Sequence, residues 1–235
     1  ARLPIYLVLV GAFFPKMGSL VLLGIYASGI LLAVLMARLF SRFLVKGDNT
    51  PFVMELPPYR IPTAKTIFRH TWEKGAEYLK KMGGIIMIAS ILIWFLGYYP
   101  QGNYETIAEQ QENSYIGQIG KAIEPVIEPL GFDWKLGVGL LSGVGAKELV
   151  VSTLGVLYAN DGDLDSVNLS DRIPITATVA LGYMLFVLIY FPCVATLAAI
   201  KQESGSWKWA IFAAFYTTAL AWIVAFIVKQ LGALM

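Results

Sequence analysis

The chain has 235 residues, of which 57% are hydrophobic and only 14% charged, with a mean hydropathy of +0.65. Soluble domains carry about a quarter charged residues, so an ordinary soluble domain is excluded and apolar spans of about 20 residues become the unit to count. A net charge of +2 is too small to argue for nucleic acid, and a single cysteine excludes an internal disulfide.

The first residues, Ala1-Arg2-Leu3-Pro4, lack a methionine and the basic, apolar and small-residue order of a signal peptide. The expectation is a piece of a longer polypeptide. Leu3 to Phe14 is apolar but short and reads as the second half of a span, followed by a turn at Pro15-Lys16-Met17-Gly18. Ser19 to Phe40 is a full span with Arg38 placed to snorkel. Residues 41–82 are polar and rich in Lys and Arg, which places this loop in the cytoplasm. Within it, Leu56-Pro57-Pro58-Tyr59-Arg60-Ile61-Pro62 is extended, since successive prolines forbid helix. Ala64, Phe68, Trp72, Gly75, Leu79 and Met82 then recur at helical spacing among basic residues, the pattern of an amphipathic helix lying in the inner interface. Such a helix either anchors the chain or couples it to a cytoplasmic partner. The single histidine, His70, sits here beside Arg69 and faces headgroups rather than metal.

Gly83 to Tyr99 is the next span, ending in the aromatic belt of Trp94, Tyr98 and Tyr99. Residues 100–135 are poor in Lys and Arg, which suits the outer side, and Ile119 to Leu130 reads as a short surface helix interrupted by Pro125 and Pro129. Leu136 to Tyr158 is apolar in outline; it either crosses or forms a re-entrant hairpin, and the topology beyond residue 135 turns on which. In the acidic loop 159–172, Asp161, Asp163 and Asp165 imitate a calcium loop, but Ser166 and Arg172 stand where glycine and glutamate are needed. Pro174 to Ile200 is uncharged and Trp207 to Val228 is a last span. The reading is an all-α, polytopic membrane protein with about six apolar segments. It divides into residues 1–82, residues 83–135, and a broken-helix region 136–200 with the final span in 136–235.

Two places carry chemistry. Pro192 removes a backbone donor within an uncharged run, which breaks the helix there, and freed backbone groups in a membrane are tolerated only where protein or a water-lined path satisfies them. Pro192 fits the first position of a new helix. Cys193 then lies at a helix N-terminus, where donors and dipole favour thiolate, a ligand for soft or borderline metals. Thr196, one turn on, adds an oxygen. The alternative is a small buried hydrophobe. The second place is Lys147-Glu148, ionisable residues inside an apolar segment, which are expensive at that depth and face a cavity or each other. Gly145, Glu148, Ser152 and Gly155 share one stripe at helical spacing, while Gly139 and Gly143 form a small-xxx-small packing pair. A metal site here takes Cys193 and Glu148, with Ser152, Thr196 and Met184 as weaker candidates. Gly143-Val144-Gly145-Ala146-Lys147 lacks the spacing and the following Ser or Thr of a phosphate loop.

The chain resembles the C-terminal membrane portion of the bacterial and archaeal ferrous iron transport protein B family. The resemblance lies in Ala1-Arg2-Leu3-Pro4-Ile5-Tyr6, in Leu56–Pro62, in His70-Thr71-Trp72-Glu73, in Gly145–Gly155, in Phe191–Ile200 and in Gly205-Ser206-Trp207-Lys208-Trp209-Ala210. It implies Fe(II) uptake across the cytoplasmic (inner) membrane, with Fe(II) as the transported ion and no cofactor in this chain. It further implies an upstream membrane half with a first cysteine gate, a GTP-binding domain, a small cytoplasmic accessory protein, and an oligomer in the lipid bilayer. The second gate matches Gly145–Gly155 and Tyr190–Ile200, so Cys193 inherits the iron-ligand role and the chain itself is not an enzyme. Three alternatives stand beside this reading: a metal-pumping ATPase, which needs a phosphorylatable aspartate and a nucleotide domain that this sequence lacks; a nucleoside-type carrier built on related gate segments; and a structural membrane subunit with an inert cysteine.

Overall fold

The computed structural model describes residues 2–43, 63–102, 107–158 and 173–233. The extended Leu56–Pro62 stretch and the acidic loop 159–172 lie outside them. The described residues form ten α-helices, with no strand among them. They are α1 (Leu3–Phe13), α2 (Gly18–Phe43), α3 (Ala64–Tyr98), α4 (Ile107–Asn113), α5 (Tyr115–Ile127), α6 (Trp134–Gly145), α7 (Leu149–Leu157), α8 (Ala177–Ile189), α9 (Val194–Ser204) and α10 (Trp207–Ala233). Several starts are set by side-chain caps that occupy orphan N–H groups. Ser114 accepts from the Gly117 N–H, Asp133 from Leu136 and Thr176 from Val179. Gly205 ends α9 with φ 68°, a left-handed conformation open to glycine at no steric cost.

A helix that is apolar on every side must be surrounded, and α8 is the one that is. Ala180, Gly182, Tyr183, Met184, Leu185, Phe186 and Val187 are all buried. Helices α1, α2 and α10 pack around it. The α10 face is built from small residues: Ala210, Ala214, Ala221 and Ala225 are its buried positions. Without a hydrophobic drive between helices in lipid, close backbone approach supplies the packing, and small side chains permit it. Leucine at Ala221, whose side chain is fully buried, is expected to lower stability by about 1–3 kcal/mol through overpacking. The loss of monodisperse protein on heating in detergent measures it.

Elsewhere α2, α3 and α10 present large apolar side chains outward, Leu23 at 70% and Phe215 at 75% exposure among them. Among the described residues three helical stretches are long and apolar enough to cross a membrane: Gly18–Phe43, Ala177–Ser204 taken across its break, and Trp207–Ala233. This is an all-α membrane protein.

Two boundaries differ from the sequence expectation. The amphipathic stretch from Thr63 and the apolar segment from Gly83 are one unbroken helix of 35 residues, roughly 52 Å at the α-helical rise. Gly83-Gly84 lowers helix propensity by about 1 kcal/mol per glycine but supplies neither a left-handed residue nor a proline, so the ladder runs through. The short helix expected at 119–130 begins at Tyr115 and contains Pro125 without stopping. It lies at the surface with one face turned inward: Ile116, Gly117, Gly120 and Ile127 are buried where it packs along α6, while Gln118, Ile119, Lys121, Ala122 and Val126 are exposed. At its end, the carbonyls that the closing 3-10 turn Glu128–Leu130 leaves open are taken by α10. Trp222 Nε1 donates to Val126 O at 2.9 Å and Lys229 Nζ to Pro129 O at 2.9 Å. Of the two arrangements expected for residues 136–158, the chain takes the hairpin, and this shapes the site.

Candidate functional site

Helix α6 stops at Gly145 because Ala146 is extended (φ −148°, ψ 132°), and α7 starts only at Leu149. The chain turns back on itself between them. A Cβ at Gly139 would meet Leu154 and one at Gly143 would meet Val150, so positions rising along α6 face positions falling along α7. The far ends close as well: Tyr158 Oη donates to Asp133 Oδ2 at 2.7 Å, and Lys135 Nζ lies 5.0 Å from the Tyr158 ring centroid. Segment 134–158 is therefore a hairpin whose tip is Ala146-Lys147-Glu148. The small-xxx-small pair Gly139/Gly143 is what lets the two arms approach. The stripe expected through Gly145, Glu148, Ser152 and Gly155 is not continuous, because Gly145 belongs to one arm and the other three to the tip and the returning arm.

Helix α8 runs beside α6 in the same direction. Tyr183 Oη donates to Leu136 O at 3.3 Å and Tyr190 Oη to Leu140 O at 3.1 Å. The second break follows at once. Tyr190 leaves the helix with ψ 176°, Phe191 and Pro192 are non-helical, and α9 begins at Val194 with Cys193 as its N-cap. Pro192 thus sits before the cap rather than at the first helical position. A proline there leaves its own residue with no N–H, and the interruption strips the Phe191 carbonyl of the i+4 donor that a continuous helix supplies.

Lys147 fills that gap. Its Nζ donates to Phe191 O at 2.9 Å and stands 3.3 Å from the centroid of the Tyr190 ring, while the residue is only 6% exposed. A buried amine is costly unless paired, and a carbonyl oxygen with an aromatic face beneath it is a pairing for a cation. The tip of the hairpin is thereby fastened to the break in the α8–α9 span, across 44 residues of sequence. The Lys147 amine is also within electrostatic reach of Cys193 and of Arg2.

The expected site residues separate as follows. Cys193 is half-buried and its Sγ lies 3.2 Å from Thr196 Oγ1, so these two are together at the start of α9. Glu148 is exposed at the hairpin tip and makes no capping bond to α7. Ser152 is exposed, with its hydroxyl donating back to Leu149 O at 3.0 Å. Met184 is fully enclosed in the core with Tyr183 and Phe186, away from any open surface. His70 lies on α3, exposed, 3.9 Å from Glu73. Among the described residues no three His, Cys, Asp or Glu side chains form a metal-holding group. What the sequence reading missed is Lys147 as the fastening and Tyr190 and Tyr183 as its scaffold. A lysine in an apolar run was visible, but nothing local named its partner.

The chain was compared with known proteins. Residues 22–74 match the family model described as the C terminus of ferrous iron transport protein B, and residues 79–207 match the Gate model, described as nucleoside recognition. A Porphyromonas gingivalis protein named as an Fe(2+) transport protein A/Fe(2+) transporter FeoB fusion is 49% identical, covering 100% of this chain and 33% of its own length. Fe(2+) transporter FeoB of Campylobacter jejuni is 42% identical over 97% of this chain and 39% of its own, and that of Methanocaldococcus jannaschii 41% identical over 100% and 36%. The chain thus spans between a third and two fifths of the length of these relatives. No solved structure matches. A Gate segment built on two facing helix breaks, preceded by the C-terminal region of the iron transporters and similar to them from end to end, makes this chain a member of the ferrous iron transport protein B family, corresponding to its C-terminal membrane portion.

Proposed function

We propose that the chain is the membrane-embedded part of a ferrous iron uptake permease, with Fe(II) passing at the two facing breaks. The observation that carries this reading is the meeting of the hairpin tip and the Tyr190–Cys193 break, where Lys147 Nζ reaches the Phe191 carbonyl two residues from the Cys193 thiol. A thiol with carbonyl oxygens suits a borderline divalent cation better than magnesium or calcium. Cys193 is the primary ligand, Thr196 its neighbour, and Glu148 the carboxylate at the tip. Ser152 is a subordinate contributor, and enclosed Met184 contributes only if α8 rearranges. The setting is the inner membrane, crossed several times, with an upstream membrane half, a GTP-binding domain and a small cytoplasmic accessory protein, assembled as an oligomer.

The Gate model's description favours one second reading, a nucleoside-type carrier. That function needs polar side chains able to hold a base and ribose. The groove of about 420 Å³ beside the breaks is lined by Ile88, Leu92, Leu96, Ile116, Val144 and Val194, among other apolar residues, and has no such groups.

The test is uptake in cells deficient in ferrous iron import, using the complete polypeptide. Cys193→Ser is expected to lower Fe(II) uptake at least about tenfold, the scale on which losing even a ligand's supporting partner acts, and Glu148→Ala to lower it less. Parental uptake by both variants at equal expression removes the site. Nucleoside uptake independent of iron replaces it with the carrier.

A further inference from the structure

We infer that Lys147 is a tethered cation that occupies the break in place of the transported one, so that the resting site is closed by the protein's own amine. The inference rests on the reading of this break as the path of a divalent cation, and deepens it.

The groups that hold Lys147 Nζ are those a passing cation would use. They are a carbonyl oxygen freed by a helix break, at 2.9 Å, and the face of a tyrosine ring, at 3.3 Å from its centroid. The amine comes from the other broken element, the hairpin tip, and not from the span it plugs. Burial to 6% exposure closes the position to water. The next residue but one after Phe191 is Cys193, whose sulfur lies 3.2 Å from Thr196 Oγ1. A cation entering between thiol and carbonyl therefore competes with Lys147 for Phe191 O, because two positive charges cannot share one carbonyl and one ring face in a low dielectric. Displacing the amine unfastens the tip from the α8–α9 break, and Glu148, one residue along and exposed, moves with it. Closure and cargo binding are then mutually exclusive occupancies of one position. Lysine suits this better than arginine: it is a compact charge on a flexible stem that a divalent ion can replace.

The test is chemical footprinting of the complete transporter in lipid nanodiscs without oxygen. A small amine-acylating reagent and a thiol-alkylating reagent are applied with and without Fe(II), and modification at Lys147 and Cys193 is read by mass spectrometry. Fe(II) is expected to raise Lys147 acylation about fivefold or more, the lower end of ordinary coupling between sites, while Mg(II) leaves it unchanged and Lys121, outside the hairpin, is unaffected by either. Unchanged Lys147 with Cys193 protected by Fe(II) overturns the displacement and leaves the iron site standing. Unchanged Lys147 with Cys193 unprotected overturns both. Exposed Lys147 with Cys193 unprotected supports displacement and removes Cys193 from the site. Lys147→Met, which cannot donate to Phe191 O, is expected to speed Cys193 alkylation without iron, and Lys147→Arg is not. Equal rates in the parent and both variants overturn the plug. If the methionine variant does not insert, footprinting of the parent still decides.

Discussion

Alanine at Gly143 is expected to disrupt the hairpin and the break together, lowering stability by about 2–4 kcal/mol. The added Cβ would stand 2.6 Å from Val150 Cγ2 and on top of the Tyr190 hydroxyl. Neither neighbour has room to give. Val150 is fully buried in the returning arm, and the Tyr190 hydroxyl is held by Leu140 O while its ring lies under Lys147. Overpacking alone costs about 1–3 kcal/mol, and displacing the tyrosine forfeits a buried hydrogen bond of about 1 kcal/mol. Gly155 is the control. It lies in the same hairpin, inside α7, with nothing within 4 Å of a built Cβ, so Gly155→Ala is expected to be neutral or to stabilise by up to about 1 kcal/mol through helix propensity. The comparison is the midpoint of heat-induced loss of folded protein for the two variants. Equal losses would show that any methyl group in this region is harmful and that the Gly143 contact has no special standing.

That contrast between two glycines shows where sequence reading stops. Both lie in an apolar stretch at helical spacing, and the small-xxx-small spacing of Gly139 and Gly143 correctly marked a packing face. It could not say what packed there. A segment that crosses and a segment that turns back bury the same residue types, so periodicity does not separate them; the extended Ala146 that reverses the chain carries no composition signal. The Pro192 break was legible because proline acts locally on the backbone. Its occupant was not, because Lys147 reaches Phe191 O across 44 residues and no local rule links an apolar-run lysine to a distant carbonyl. The helix caps Ser114, Asp133 and Thr176 belong to the residue types that cap, and the outer spans from α2 to α10 follow hydropathy. The 63–82 stretch and the 83–99 span read as two elements because polarity changes between them, but a change of polarity along a helix does not end it, and the two are one helix. The candidate ligands fared by the same logic. Cys193 and Thr196, three residues apart at a helix start, are neighbours by local geometry, whereas the placement of Glu148 and Met184 depended on a tertiary arrangement that spacing does not encode.

The role of Tyr190 separates into a hydroxyl and a ring, and two substitutions tell them apart. Tyr190→Phe removes the donor to Leu140 O but keeps the ring 3.3 Å from Lys147 Nζ and beside the tilted ring of Phe186, whose centroid is 5.5 Å away. The expected cost is about 1 kcal/mol, because the Leu140 carbonyl keeps its place in the α6 ladder and only the net worth of one hydrogen bond is lost. Tyr190→Leu removes the ring as well, and leaves the Lys147 amine with Phe191 O alone in a site closed to water. A desolvated cation over an aromatic face is worth about 2 kcal/mol or more, so the leucine variant is expected to fall below the phenylalanine variant by about that amount. Combining each with Lys147→Met isolates the interaction: the gap between leucine and phenylalanine should close in the methionine background, since no amine remains for the ring to hold. A gap of the same size with and without Lys147 would mean that the ring contributes packing only, and that the break is held shut by the Phe191 carbonyl contact without help from the aromatic face.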